Sequence, residues 1–295
     1  MSRRTFAEIL ASAKIDISEE YERLYNLFYN SHFYSSNSQN NYDALYKSVD
    51  KRFKYFPNNI IRKNCLNLEE FHEKFEEFNF PEYTDDINIF ITFCEYLTNI
   101  LKCQKDILEN IIKNKKQQRL RIDEEQYFCG NISIINEQIT YAIEQMGYMS
   151  VIEKDNPTIF IPKSPEAIAV AESNIIPDNL TAYEILKYYH HSLQGNIQEK
   201  KQILLKLADI LEPKRKKISE ESNLFCLLNS LNIRHNNITK NDKNYKPYVA
   251  QMSDKELEEW YDITYRMCLL AVLELEYQDE YHTKIDTLKK QLLVK

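Results

Sequence analysis

The sequence predicts a mainly α-helical, multi-helical protein with one short β-hairpin. Only three glycines and eight prolines occur in 295 residues, which is too few for the many tight turns of a β-sandwich or barrel. Apolar residues recur at helical spacing over most of the chain, as in Tyr21, Leu24 and Phe28. An apolar share of 43% can build a large core, so we expect the chain to fold unaided.

We expect the chain to have three parts. A string of helices fills 1–146, a β-hairpin with a connecting helix occupies 147–177, and a second helical domain spans 178–295. No internal repeat is visible. The hairpin part is therefore expected to join two different helical bodies.

The first part is expected to contain several helices and one long loop. The segment "TFAEILASAK" at 5–14 predicts a helix, and the polar stretch "SSNSQNN" at 35–41 is typical of a loop. Asn67 is a suitable N-cap for one of the later helices, and Gly147 is suited to ending the last one. These helices are expected at 18–30, 42–54, 68–77, from 86 onward and at 123–146.

The second part changes in character. The runs "YMSVI" and "TIFI" favour strands, and "EKDNP" between them has strong turn chemistry, which predicts a hairpin within 148–162. The following "SPEAIAVAES" predicts a helix with Ser164 as its N-cap and Pro165 in its first turn. A lone hairpin is marginally stable, so this one must lie against helices.

The third part predicts a four-helix arrangement. Gly195 and Asn196 break the chain between the first two helices, and Ser219 is the expected N-cap of the third. Ser253 and Glu256 form a capping box for the last helix. The four helices are expected at 181–193, 197–217, 220–233 and from 253 onward.

The net charge of −7 argues against a protein coated with basic surface. Two segments, 101–121 and 200–217, nevertheless each carry seven Lys or Arg residues against two acids. Solvated helix faces and helix C-terminal ends explain such runs. If both segments lie on one side of the fold, they could instead form a phosphate-binding surface.

The cysteines and the apolar pattern indicate a cytoplasmic protein without a membrane anchor. Six cysteines show no CxxC spacing and several fall on apolar helical positions, so we interpret them as reduced core residues rather than zinc ligands. No apolar window is long enough to cross a bilayer, and the N-terminal segment lacks the apolar core of a signal peptide. We expect no metal and no cofactor.

Two polar pairs late in the chain are expected to have structural roles rather than to bind a metal or catalyse a reaction. His190 and His191 are adjacent, whereas two metal ligands on one helix need a spacing of three or four residues. His190 is expected to be buried and His191 exposed. Asp262 and Arg266, four residues apart, are expected to form an ion pair.

The stretch "LNSLNIRHNNITK" at 228–240 is the most distinctive local feature of the chain. It places Arg234 and His235 side by side, followed by two asparagines, where an amphipathic helix ends. One more helical turn would bring His235 onto the apolar stripe that includes Leu224 and Leu228. Arg234 would then point about a quarter-turn away.

This Arg- and His-containing motif, late in a four-helix domain, resembles the HEPN superfamily, the all-α domains of many bacterial phage-defence and toxin ribonucleases. The resemblance covers 178–295, and "NIRHNN" also looks like the motif of helical proteins associated with abortive infection. The family signature has an arginine, commonly followed directly by a polar residue, and a histidine four to six residues after the arginine. Arg234 matches the arginine and His235 matches the polar residue that follows it. The positions where the signature histidine belongs hold Ile238, Thr239 and Lys240.

The resemblance implies metal-independent RNA cleavage. Such a reaction needs a base for the 2′-hydroxyl, a cation for the phosphorane and a donor for the leaving oxygen. Arg234 suits the cation and His235 the base, while Asn236 or Asn237 could hold the phosphate. The basic residues expected to border the cleft and bind RNA are Lys214, Arg215, Lys216, Lys217 and Lys240.

Two classes of function follow. The first is a HEPN-like endoribonuclease or toxin-like component of bacterial anti-phage defence, and the second is a non-catalytic helical module that binds RNA or a protein partner. In the second class Arg234 and the asparagines close the helix end, and His235 is a core residue. The apolar final helix, "RMCLLAVLEL", and the missing histidine both predict a homodimer through 178–295.

Overall fold

The computed structural model describes residues 5, 14–30, 44–153 and 156–293. Apart from its two end residues, the helix predicted over 5–14 lies outside these ranges, as does the loop predicted at 35–41. Helices make up most of the described chain, and its one sheet is a two-stranded hairpin. The mainly α fold with a single hairpin near 148–162 is therefore confirmed.

The chain divides into two compact units, Met1–Phe160 and Ile161–Lys295. In the first unit, Asn67 and Asp86 cap helices by accepting backbone N–H bonds, and Gly147, at a left-handed φ of 79°, follows the last helix as predicted. The described helices of this unit are α1 (Ile17–Tyr29), α2 (Leu45–Phe53), α3 (Leu68–Lys74), α4 (Ile87–Gln117) and α5 (Asp123–Gln145).

The core of the first unit is rich in aromatic rings. Phe93 of α4 lies 4.9 Å from Tyr21 and 5.0 Å from Phe80, measured between ring centroids. Tyr21, Phe28 and Phe93 are fully buried. These rings pack against one another at the tilted geometries that aromatic pairs favour, which matches the helical spacing seen in the sequence.

The hairpin is attached to α4. Its strands are β1 (Tyr148–Val151) and β2 (Ile159–Pro162). The Asn99 side chain donates to the Thr158 carbonyl and accepts from the Thr158 N–H, both at 2.8 Å. Two backbone groups that lead into β2 are thereby satisfied, and the hairpin lies against a helix as its small size requires.

The second unit contains the four predicted helices and several shorter ones. Ser164 and the Ser253–Glu256 capping box cap helices as predicted, and Asn196, predicted only as a helix break, caps the helix that begins at Ile197. The described helices are α6 (Pro165–Glu172), α7 (Asn179–Lys187), α8 (Ile197–Leu211), α9 (Glu221–Ser230), α10 (Pro247–Ala250), α11 (Asp254–Glu276) and α12 (His282–Leu293).

Helix α7 ends earlier than predicted, at Lys187 instead of 193. His190 has extended backbone angles, and its ring Nδ1 accepts the Ser192 N–H at 3.2 Å, which starts a short 3₁₀ turn. This local bond competes with continuation of the helix. The two histidines are thus not neighbours on a helix, and their ring centroids lie 4.3 Å apart. His190 is buried, as expected, whereas His191 is half-buried rather than exposed.

Two predicted contacts of α9 and α11 are wrong. Ser219 does not cap α9; its backbone N–H and hydroxyl bind the Glu274 carboxylate of α11 instead. Asp262 does not pair with Arg266. It accepts from Lys200 Nζ at 2.8 Å, because α8 packs directly against α11 and brings a buried ammonium to this carboxylate.

Lys200 is the centre of a buried polar cluster that joins α8 and α11. Its ammonium lies 2.7 Å from Glu258, and it sits over the Tyr188 ring. The Tyr188 hydroxyl donates to Asp262, and its ring stacks on Tyr265 at a centroid distance of 3.8 Å. Burial and the nearby Asp262 carboxylate raise the pKa of Tyr188. A buried ammonium held by two carboxylates fixes the register of these helices.

All six cysteines are free thiols, as predicted. Cys65, Cys94 and Cys268 are buried, and burial raises the pKa of Cys268 to about 12. Cys226 differs from the prediction because its side chain is exposed on α9.

Candidate functional site

The polar stretch at 228–240 lies in a loop. Helix α9 ends at Ser230, and Asn232 takes a left-handed φ of 59°. The Arg234 N–H then turns back to bond the Leu228 carbonyl at 3.1 Å. The helix therefore does not continue to 233, and His235 does not join the apolar stripe; its side chain is exposed. Asparagine tolerates the left-handed conformation, which explains the early end.

Asn237 is the structural centre of this loop. It is fully buried, and its side-chain oxygen accepts the Asn232 N–H at 2.9 Å. Its amide nitrogen donates to the Asn244 carbonyl at 2.7 Å, and its own carbonyl accepts the Lys246 N–H at 2.8 Å. Asn237 was predicted as a phosphate-holding residue. The structure instead uses it to join the two ends of the loop, and its side chain is fully buried and out of reach of a ligand in solvent.

Arg234 is held in place by three contacts. Its Nη1 lies 2.7 Å from Glu212 Oε2 and donates to the Asn229 side chain at 3.3 Å. The guanidinium also faces the buried Phe225 ring, 5.9 Å from the ring centroid. With its side chain 23% exposed, Arg234 is a paired cation at a helix end rather than one that points freely into solvent.

Arg215 lies beside the same ring. Its guanidinium is 4.6 Å from the Phe225 centroid and binds Glu221. The hydrogen bond to Glu221 raises the pKa of Arg215, so this side chain is charged at any physiological pH. The structure thus brings together Arg215 and Arg234, which sequence reasoning had assigned to separate roles, and gives each its own glutamate.

Among the described residues, Asn236 and His235 form no hydrogen bond or ion pair with the Arg234 side chain. Asn236 donates to Thr239 at 2.9 Å and to Asp242 at 2.7 Å, which closes the turn that follows. His235 is exposed next to Arg234 in the chain. In a concerted cleavage step one imidazole cannot be base and acid at the same time, so the motif of one copy supplies only one of the two proton-transfer groups.

Three of the five basic side chains predicted to bind RNA form ion pairs within the unit. Asp279 accepts from Lys217 at 2.8 Å and from Lys214 at 3.1 Å, and these bonds lower the pKa of its carboxyl. Arg215 is paired with Glu221, as described above. Lys216 and Lys240 are exposed and form no ion pair with another described residue. One carboxylate therefore serves two ammonium groups, and part of the positive charge of this segment remains.

An exposed apolar stripe along the C-terminal helices was missed by sequence reasoning. Ile263, Leu270 and Tyr277 follow one another at intervals of seven residues. Seven residues make about two helical turns, so the three side chains lie on the same side of the helix. A π-helical segment, Tyr277–Tyr281, joins α11 to α12, and the apolar row continues beyond it at the ordinary helical spacing of three or four residues. The stripe consists of Ile263, Leu270, Tyr277, Tyr281, Ile285, Leu288 and Leu292, each at least 39% exposed.

The stripe borders a groove at the middle of α11. The groove has a volume of about 490 Å³, and its apolar floor is formed by Tyr189, Leu269, Leu270 and Leu273. Leu270 is 62% exposed at its edge. Within the described part of the chain, the inner face of the final helix is covered, whereas Leu270 on its outer face is exposed.

The fold and this surface have no counterpart among the proteins compared. No family model, no curated protein and no solved structure matches the chain. Among the described residues, no helix has the length and apolar character needed to cross a bilayer. The function must therefore be inferred from the geometry.

Proposed function

We propose that this chain is a non-catalytic helical module that docks on a protein through the outer face of α11 and α12. The observation that carries the proposal is the apolar stripe from Ile263 to Leu292, which the chain leaves in water. Large contiguous apolar patches mark interaction sites on soluble proteins. A row at helical spacing suits recognition by another helix or by a groove.

The charges around the motif favour a protein partner over RNA. Affinity for nucleic acid derives largely from unpaired Lys and Arg side chains that displace counterions. Here Lys214, Lys217, Arg215 and Arg234 are all bound to carboxylates of the same unit. RNA would have to break these ion pairs before it gained any contact, which reduces the net gain in free energy.

A HEPN-like endoribonuclease of a bacterial defence system is the second candidate. The exposure of His235 beside Arg234 favours it, since an imidazole in solvent can reach a ribose hydroxyl. In such an enzyme a second copy would supply the other histidine. Cleavage would leave 2′,3′-cyclic phosphate ends and would need no divalent metal.

Incubation of the purified protein with total RNA in the presence of a chelator separates the two candidates. The binding-module proposal predicts the same intact RNA profile for the wild type and Arg234→Ala. Cleavage by the wild type that both Arg234→Ala and His235→Ala abolish, while both variants are still folded at the assay temperature, would refute it and establish the second candidate. Cleavage that both variants retain would indicate a contaminating ribonuclease, and the preparation would then be purified further and retested.

A further inference from the structure

We infer, resting on the docking role proposed above, that the α11 part of the stripe receives an amphipathic helix of another protein, one that carries an acidic residue beside its apolar row. The surface concerned consists of Ile263, Leu270 and the groove between α11 and the start of α6. All of the residues that line this groove belong to the second unit.

The groove has a basic rim above its apolar floor. Lys163 and Arg266 both line it, and both side chains are exposed. Neither side chain forms an ion pair or a hydrogen bond with another described residue. The one acid of the lining, Glu166, accepts from the Ser164 hydroxyl at 3.0 Å and is thereby turned toward the start of its own helix. Two cations and one carboxylate leave the groove with a net positive charge.

Glu166 is charged at neutral pH. Hydrogen bonds from its own backbone N–H and from the Ser164 hydroxyl lower the pKa of this carboxyl, and the nearby positive charge of Arg266 adds to the effect. Because these bonds already engage the carboxylate, Glu166 does not replace the missing ion-pair partner of Arg266.

Arg266 has no free acid on its own helix. Asp262 is the only acid three or four residues away from it in the chain, the spacing at which helical side chains pair. The Asp262 carboxylate instead accepts from Lys200 Nζ at 2.8 Å and from the Tyr188 hydroxyl at 2.9 Å. The buried lysine thus leaves Arg266 as a cation without an ion-pair partner, next to apolar surface.

A partner helix on α11 must cover this cation. Arg266 follows Ile263 by three residues and precedes Leu270 by four, so the three side chains lie on nearly the same face. A helix that contacts both apolar residues therefore also removes water from the guanidinium. Covering a charged group without supplying an acceptor is unfavourable. A carboxylate of the partner is the acceptor that satisfies both the charge and the hydrogen-bonding capacity of Arg266.

The open shape of the surface favours a helix over a small molecule. Small ligands bind in pockets that enclose most of their surface. Here Leu270 is 62% exposed at the edge of the groove. Ile263 and Leu270 are separated by about 10 Å along the helix axis. Apolar side chains at the same seven-residue interval on a partner helix match this separation.

A phage-displayed library of helices of about 18 residues provides the probe. Each member carries Leu, Ile, Phe or Met at a seven-residue interval and Glu, Gln or Lys at the positions that flank this row. Selection is performed on the full chain and on the variants Leu270→Asp, Arg266→Glu and Lys240→Glu. Lys240 is exposed and does not line the groove, so its reversal is the matched control for that of Arg266.

We expect the wild type and the Lys240→Glu control to enrich Glu over Lys at one flanking position, and Arg266→Glu to reverse this preference. Fluorescence anisotropy of the best peptide, with thermal midpoints as a folding check, then gives dissociation constants. Leu270→Asp should raise the constant roughly 30-fold or more. Replacing the glutamate of the peptide by glutamine should raise it about 10-fold, and Lys163→Gln about 3-fold. A lysine at that peptide position should restore binding to Arg266→Glu.

Each other outcome overturns a specific part of the inference. Peptides that depend on Leu270 but show no preference for Glu would exclude the acidic residue and leave the docking role intact. Enriched peptides that tolerate Leu270→Asp would contradict the docking role as well. If no peptide is enriched, a helix is excluded as the occupant, while the RNA assay still decides the proposed function. A dimer in light scattering that Leu270→Asp dissociates would make a second copy the occupant in place of another protein.

Discussion

Asn237→Ala should destabilise the second unit by about 2–3 kcal/mol. The substitution removes the acceptor of the buried Asn232 N–H, and an unpaired buried donor costs about 1–3 kcal/mol. It also removes the donor to the Asn244 carbonyl, a loss of less than about 1 kcal/mol because Asn244 is exposed and water can replace the bond.

Urea unfolding followed by tryptophan fluorescence measures this effect in the right unit. Trp260 is the only tryptophan of the chain and lies on α11. Asn236→Ala is the matched control, because this neighbouring amide is exposed and its removal should cost less than about 0.5 kcal/mol. If Asn237→Ala matched this control, Asn237 would not be the residue that joins the loop, and the structural role assigned to the motif would be refuted.

Three further predictions concern other side chains of the second unit. Arg234→Ala should lower the free energy of unfolding by about 1–2 kcal/mol, because it removes the Glu212 ion pair and the Phe225 contact. His235→Ala should change it by less than about 0.5 kcal/mol. Equal effects of the two substitutions in urea unfolding would contradict the paired position of Arg234 and the exposure of His235. Burial raises the pKa of Glu258, but hydrogen bonds from Lys200 and the Gly195 N–H outweigh burial and leave it below the ordinary value of 4.5. Because the folded-state pKa is the lower one, Glu258 contributes stability above about pH 4.5 that is lost as the pH falls through the folded value, and Glu258→Gln should flatten this acid limb. In native protein at pH 8, a thiol reagent should react with Cys226 fastest, because this thiol is exposed. Cys226→Ser should therefore remove the rapid phase of the reaction. Loss of that phase in any other Cys→Ser variant would contradict the exposure of Cys226.

Much of the fold follows from local sequence chemistry. The capping residues Ser164 and Ser253 and the glycine at 147 mark helix ends with side chains or backbone angles that few other residues provide. The hairpin was recognisable from two short β-favouring runs around a turn. Such signals are contained within a few residues, so the sequence alone reveals them.

The missed features depend on contacts that are distant in sequence. Whether α9 ends at 230 or 233 is decided by Asn237, seven residues beyond the helix, whose amide holds Asn232 in a left-handed conformation. The prediction that Asp262 pairs with Arg266 was wrong because Asp262 binds Lys200, which lies on another helix, 62 residues away in the chain. An i,i+4 rule considers one helix at a time and cannot include such a competitor.

The candidate site was only partly accessible from sequence. The unusual composition of the stretch drew attention to Arg234 and His235, and the structure shows that one is paired and the other exposed. The apolar stripe could have been found from the seven-residue spacing of Ile263, Leu270 and Tyr277. Its exposure could not, because which apolar face a helix leaves uncovered depends on the packing of segments distant in sequence.

Hydrogen exchange of the α12 amides at two protein concentrations tests the docking role of the stripe most directly. The apolar side chains of α12 are exposed in the described part of the chain, so strong protection of its amides requires a partner that covers Ile285, Leu288 and Leu292. We predict that, in the homodimer expected from the sequence, residues 282–293 become markedly more protected as concentration rises through its dissociation constant, while the buried helix α8 does not change. Protection of α12 that is the same at every concentration, whether high or absent, would contradict the account.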